Sequence, residues 1–101
     1  MGFFNFLFKS KRKMVEEFMS KEAMVLDVRT EAEYSIGAIP NSKNIPLQTL
    51  NNHIANIKKL NKPVITCCAS GMRSATAANI LKRNGIDAIN GGGWQRLSQF
   101  L

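Results

Sequence analysis

The stretch TCCASGMRS, Thr66–Ser74, decides how the rest of the chain is read. Two adjacent cysteines precede a short polar run that ends in Arg73-Ser74. Counted from Cys67 the arginine lies six positions on, the Cys-x5-Arg spacing of a cysteine phosphatase; counted from Cys68 it lies five positions on, in a loop one residue shorter. On spacing alone both registers stay open. Strand alternation separates the two thiols: if VITCC, 64–68, is a strand, adjacent side chains leave on opposite faces. Cys67, inside the apolar run beside Ile65, reads as a packed, inert thiol. Cys68, where the chain leaves the sheet, reads as the one that looks into the loop.

Outward from that stretch, strand and helix signals alternate. On the N-terminal side, 13–20 is helical in spacing through Met14, Val15, Phe18 and Met19, and MVLDV, 24–28, reads as a buried strand. Thr30-Glu31-Ala32-Glu33 has the pattern of a capping box, so a helical turn starts there and stops by Gly37. The Asn44-Ile45-Pro46 piece is extended. Residues 47–60 place Leu47, Leu50, Ile54, Ile57 and Leu60 at helical spacing. On the C-terminal side, 73–84 is a strong helix with Gly85 as left-handed cap. Residues 86–89 are the last strand, Gly91–Gly93 a turn, and 94–101 a final helix. The expected fold is therefore α/β, a small central parallel sheet with helices on both faces. The organisation expected is an N-terminal aromatic and basic helical segment over 1–21 and a single domain over 22–101.

This topology puts Cys68–Ser74 at the carboxyl end of a central strand, where open α/β sheets hold ligands. A loop that runs into a helix start aims amide hydrogens and the positive end of the helix dipole into one concavity. A thiol there ionises more readily, and Arg73 adds a planar cation for an oxyanion.

Composition bounds the alternatives. The chain has 101 residues with 45% hydrophobic content, enough for one core. Its two cysteines are adjacent and cannot staple distant segments, so they read as thiols in a reducing compartment. The lone histidine, His53, has no ligand spacing around it, and no metal site or organic cofactor is expected. Net charge is +7, but the basic residues are scattered apart from Lys9, Lys11, Arg12 and Lys13, without interleaved aromatics. Nucleic-acid binding is not expected; the charge instead favours small anions near the site. The N-terminal run with Phe3, Phe4, Phe6, Leu7 and Phe8 is far shorter than a membrane span, lacks the order of a secretory signal, and carries Phe6 where myristoylation needs Ser or Thr. Docking of that segment on the domain or on a second subunit is expected ahead of membrane contact. A cytoplasmic protein, monomer or weak dimer, is the expectation.

At this point the sequence resembles the rhodanese-like sulfurtransferase domains. Cys68-Ala69-Ser70-Gly71-Met72-Arg73-Ser74 is similar to that family's Cys-x-Ser-Gly-x-Arg-Ser motif. Leu26-Asp27-Val28-Arg29-Thr30, Glu33-Tyr34, Gly37, Ile39-Pro40 and Asn44-Ile45-Pro46 resemble its upstream hallmarks in order, and Gly85 and Gly92-Gly93-Trp94 its later glycines. The resemblance covers about 22–97. It departs at Ala38, where the family has His, at Asn41, where Gly is common, and at Leu97, a place often held by Trp.

The resemblance implies the Cys68 register, with Cys68 as nucleophile and Ala69, Ser70, Gly71, Met72, Arg73 and Ser74 as the substrate-binding loop. It implies a persulfide on Cys68, formed from thiosulfate or from a persulfide or polysulfide donor and passed to a thiol or protein-cysteine acceptor. The amides of 69–73 are expected to hold the outer sulfur and Arg73 to stabilise its charge, while Asp27 and Glu33 fall at positions read as structural. Ala69, where the family often has a cation, argues against thiosulfate as the physiological donor. Two other classes stay open: a phosphatase or arsenate reductase working through Cys67, and a non-catalytic binding module.

Overall fold

A computed structural model describes residues 10–101; the expectations placed on Phe3–Phe8 lie outside them. In chain order the elements are helix α1 (Lys11–Ser20), strand β1 (Met24–Asp27), helix α2 (Glu31–Ile36), strand β2 (Lys43–Asn44), a 3-10 helix (Leu47–His53), α3 (Ile54–Leu60), β3 (Val64–Cys68), α4 (Met72–Arg83), β4 (Ala88–Gly93) and α5 (Trp94–Ser98). The strands form one sheet in the order β2-β1-β3-β4, and every pairing is parallel. β3, the strand that ends in the two cysteines, is therefore central and buried at all five positions.

Alternation along the strands builds two cores. On one face Leu26, Val64 and Cys68 pack with Leu50, Ile57, Ala77 and Leu81 from the 3-10 helix, α3 and α4. On the other, Val25, Ile65, Cys67 and Ile89 pack with Val15 of α1 and Leu97 of α5. The expected α/β sheet covered on both faces is the fold observed. α1 is seated on it through the fully buried Val15. Its first turn is capped by Ser10, whose side chain accepts from the amide of Lys13 at 3.2 Å. Among the described residues no helix is long and apolar enough to cross a membrane.

The local signals in the sequence translate closely. Thr30 and Glu33 close a full capping box at the start of α2. α4 ends in a Schellman arrangement: the amide of Ile86 reaches the Leu81 carbonyl at 3.0 Å, that of Gly85 reaches Lys82 at 3.0 Å, and Gly85 has φ +79°.

Three expectations need correction. The segment 47–60 is a 3-10 turn followed by an α-helix, not one helix. Leu47 and Leu50 are three apart, the spacing at which 3-10 side chains line up, and Asn51, Asn52 and His53 contribute little helix propensity. The last strand begins at Ala88, not Ile86, and includes Gly91–Gly93, which were expected to form a turn. The last helix ends at Ser98, short of Leu101.

The glycine strand exists because β4 must run against the cysteine loop with no side chains between. Thr66 pairs with Asn90 and Cys68 with Gly93, so β4 spends one more residue than β3 over that interval, a bulge. A Cβ on Gly91 would lie 2.7 Å from both the Thr66 carbonyl oxygen and Ile65 Cγ2; one on Gly93 would lie 2.8 Å from the Ala69 carbonyl oxygen. Neither contact has room to relax, since each involves backbone.

Two stability measurements check this account. Gly91→Ala should destabilise the fold by about 1–3 kcal/mol or more through overpacking against backbone, lowering the urea midpoint. Val15→Ala should cost about 2 kcal/mol by deleting two buried methyl groups; a cost near zero would show that α1 is not part of the core.

Candidate active site

The site is assembled at the carboxyl end of β3. The side chains of Cys67 and Cys68 enter opposite cores, and both are fully buried. Their surroundings differ completely. Burial, reinforced by the carboxylate of Asp27, pushes the Cys67 thiol up to about 12, so it stays protonated and unreactive at any physiological pH. Cys68 is surrounded by donors: its Sγ accepts from the amide of Gly71 at 3.0 Å and from that of Ser74 at 3.4 Å, and lies 3.3 Å from Ser74 Oγ. Burial alone would push this thiol up. The Ser74 hydroxyl and the amides of Ser74, Gly71 and Ser70 outweigh it, and Cys68 sits below the ordinary thiol range.

The chain produces this ring by a sharp turn. Ala69 and Ser70 are exposed, and Gly71 takes φ +102°, a left-handed conformation that lets the chain double back over the sulfur and start α4 at Met72. A Cβ at Gly71 would also press on Gly92 Cα at 3.3 Å. Helix α4 is then fixed to the sheet by Thr66, whose fully buried hydroxyl donates to the Ser74 carbonyl at 2.7 Å. Of the amides 69–73 expected to face the sulfur, Gly71 donates to it and Ser70 bears on it, and the amide of Ser74, outside that expected set, joins them.

Arg73 has a partner that the sequence did not announce. Its two terminal nitrogens donate to the two carboxylate oxygens of Glu33, at 2.8 and 3.0 Å, and its charge still interacts with Cys68. The bond to Arg73 and the Thr30 amide hold the Glu33 carboxyl down at about 2, so the pair persists through the neutral range. Glu33, read from sequence as structural only, is at once the capping-box residue of α2 and the anchor of the loop arginine. Asp27 keeps a structural place: it forms a buried pair with Arg29 at 2.7 Å, and Arg29 also stacks 4.7 Å from the Trp94 ring and donates to the Gly37 carbonyl at 2.7 Å.

Of the loop residues named from sequence, Cys68, Gly71 and Ser74 meet around one sulfur; Ala69, Ser70 and the 79% exposed Met72 form the outer surface of the loop. Beside that surface lies an open trough of about 600 Å³, lined by Ser70 and Gly92 with Lys11, Arg12, Arg96 and Phe100. Arg12 lies 5.1 Å over the Phe100 ring. Three of the basic residues, Lys11, Arg12 and Arg96, thus stand beside the loop. Sequence reasoning missed Asn90, whose side chain bonds Ser74 Oγ, the Gly92 amide and the Gly71 carbonyl. An asparagine just ahead of three glycines reads as a turn signal, which hid it.

Comparison with known proteins accords with this geometry. The profile of the rhodanese-like domain matches residues 10–99. The tRNA sulfurtransferase of Thermoplasma acidophilum is 32% identical over 68 residues, 67% of this chain and 13% of that protein. A sulfurtransferase of Allochromatium vinosum is 30% identical over 70 residues, 69% of this chain and 64% of that protein. This chain thus spans less than two thirds of the length of either relative. The crystal structure of a rhodanese-related protein from Thermoplasma volcanium superposes with a TM-score of 0.71 at 32% identity, covering 87% of each chain. With the profile spanning nearly every described residue, the chain belongs to the rhodanese-like domain family.

Proposed function

We propose that the protein is a sulfurtransferase that carries a sulfane sulfur as a persulfide on Cys68. The observation that carries the reading is what converges on one sulfur: two amides that donate to Cys68 Sγ and a hydroxyl beside it, all within 3.4 Å, against none of that kind favouring ionisation of Cys67. Two relatives named as sulfurtransferases support the reaction class.

The reaction runs in two covalent steps. Ionised Cys68 attacks the outer sulfur of a donor, forming a new S–S bond. The donor's own S–S bond breaks and its electron pair leaves with the donor residue, as sulfite when the donor is thiosulfate. The terminal sulfur of the persulfide then carries the negative charge, held by the amides of the loop. An acceptor nucleophile, a thiol or a protein cysteine, attacks that terminal sulfur and returns Cys68 as thiolate. The basic trough beside Ser70 favours an anionic donor. The site needs no cofactor for these steps.

The phosphatase reading in the Cys67 register loses its nucleophile, because Cys67 faces the opposite core from the loop and is held protonated.

Sulfur transfer from thiosulfate to cyanide should vanish in Cys68→Ser and persist in Cys67→Ser; activity retained in Cys68→Ser would refute the assignment. The pH profile supplies a second check. The reactive form is the thiolate, whose fraction rises with pH through the thiol pKa. A depressed Cys68 pKa therefore moves the rise of the loading rate to lower pH than an ordinary thiol would give. Ser74→Ala removes one donor to the charged sulfur, and the rate below the plateau should fall about tenfold while the profile moves to higher pH.

A further inference from the structure

Asn90 stands at the centre of a closed set of hydrogen bonds behind the reactive sulfur, on β4 directly across from Thr66. Its Oδ1 accepts from the Gly92 amide at 2.9 Å and from Ser74 Oγ at 2.7 Å, while its Nδ2 donates to the Gly71 carbonyl at 3.0 Å. The orientation of the amide is dictated by its neighbours. Gly92 presents a hydrogen and needs an oxygen; Gly71 presents an oxygen and needs a hydrogen. Ser74 therefore faces Oδ1, which has no hydrogen to give.

Donor counting then has a consequence for Cys68. A serine hydroxyl carries one hydrogen. While Ser74 donates to Asn90, its oxygen can only accept from Cys68, so the 3.3 Å contact is S–H···O and belongs to the protonated thiol. Once the thiol proton has gone to solvent, the sulfur has nothing to donate. Ser74 must then turn its hydrogen from Asn90 to the thiolate, and Asn90 Oδ1 keeps the Gly92 amide as its partner. We propose that Asn90 is a positioning residue for the nucleophile: it competes with the ionised sulfur for the Ser74 hydrogen, and through Gly71 it holds the loop amide that faces that sulfur. The two actions oppose one another. Competition for the hydroxyl disfavours the thiolate, and the clamp on Gly71 favours it.

Arg73 on α4 and Cys67 on β3 both interact electrostatically with Cys68. Asp27 on β1 bears on Cys67 and Arg73, and Glu33 on α2 neutralises Arg73 from the far side. β4 itself brings no titratable side chain, Lys11 of α1 donates to the Asn90 backbone carbonyl at 2.6 Å, and the 3-10 helix brings Leu50 to the same core. Asn90 and Ser74 are thus the neutral pair through which this end of the site is adjusted.

The proposal rests on Cys68 being the reactive thiol, but its test needs no sulfur transfer. Cys68 ionisation is followed by the ultraviolet absorbance of the thiolate against pH; Cys67, held at about 12, stays silent over the working range. The cycle compares wild type, Asn90→Ala, Ser74→Ala and the double variant, each first confirmed folded by circular dichroism and a cooperative melt. In the Ser74 background Asn90→Ala frees the hydroxyl for the thiolate and also loses the Gly71 clamp; in the Ser74→Ala background only the clamp is lost. The thiolate-to-thiol ratio should therefore respond more favourably to Asn90→Ala when Ser74 is present, by at least about twofold, the coupling expected for residues in direct contact. Equal responses in both backgrounds, or the opposite sign, would overturn the proposal. If Asn90→Ala does not fold, Asn90→Asp carries the same cycle with the sign reversed: its carboxylate holds the hydroxyl harder, so the loss of thiolate should be greater with Ser74 present than without it. An equal loss would overturn the proposal as surely. Loss of sulfur transfer with the coupling intact would count against the function and not against Asn90.

Discussion

Adjacent residues of a strand must point to opposite faces, and the site depends on that constraint. Because β3 is central and covered on both sides, Cys67 and Cys68 enter two different environments although one bond separates their residues. One thiol meets aliphatic side chains and a carboxylate, and its ionised form is penalised. The other meets the reversing chain of Ala69–Ser74, whose Gly71 and Ser74 amides donate to its sulfur. A one-residue slip of β3 would exchange the two, handing the packed cysteine to the loop and burying the reactive one beside Asp27.

The loop is in turn shaped by what lies behind it. The left-handed turn at Gly71, the bulge in β4 and the absence of side chains at Gly91 and Gly93 let two backbones approach closely enough for Asn90 to join them. On the far side, Glu33 ties Arg73 to the start of α2, and the same carboxylate closes the capping box with Thr30. The reactive loop is held from three elements, α2, β3 and β4, that are distant in sequence and neighbours only through the parallel sheet order. Arg73, paired in this way, acts as an anchor of the loop.

Much of this was legible in the order of residues. The apolar run VITCC, the capping signature Thr30–Glu33 and the Gly85 terminus each encode a local preference strong enough to survive folding, and the resemblance of the Cys68–Ser74 motif chose the register that spacing alone left open. What escaped was non-local. Nothing near Gly91 announces that the Thr66 carbonyl will lie against it, so three glycines read as a turn when they form a strand. Glu33 satisfied a local rule so well that its second bond, to a residue forty positions away, had no signal of its own. Asn90 was concealed likewise, since asparagine before glycine is the ordinary mark of a reversal. The 3-10 segment Leu47–His53 differs from the expected helix because burying leucines three apart suited the core better than a regular α-helical turn did.

The account stands on which of two neighbouring sulfurs is loaded, and both lie in one short peptide. The protein is incubated with thiosulfate, trapped and digested, and the peptide containing both cysteines is fragmented in the mass spectrometer. A single additional sulfur on Cys68, removed by cyanide, is the predicted result. An additional sulfur on Cys67, or a chain that takes up none from thiosulfate or from a polysulfide, would contradict it.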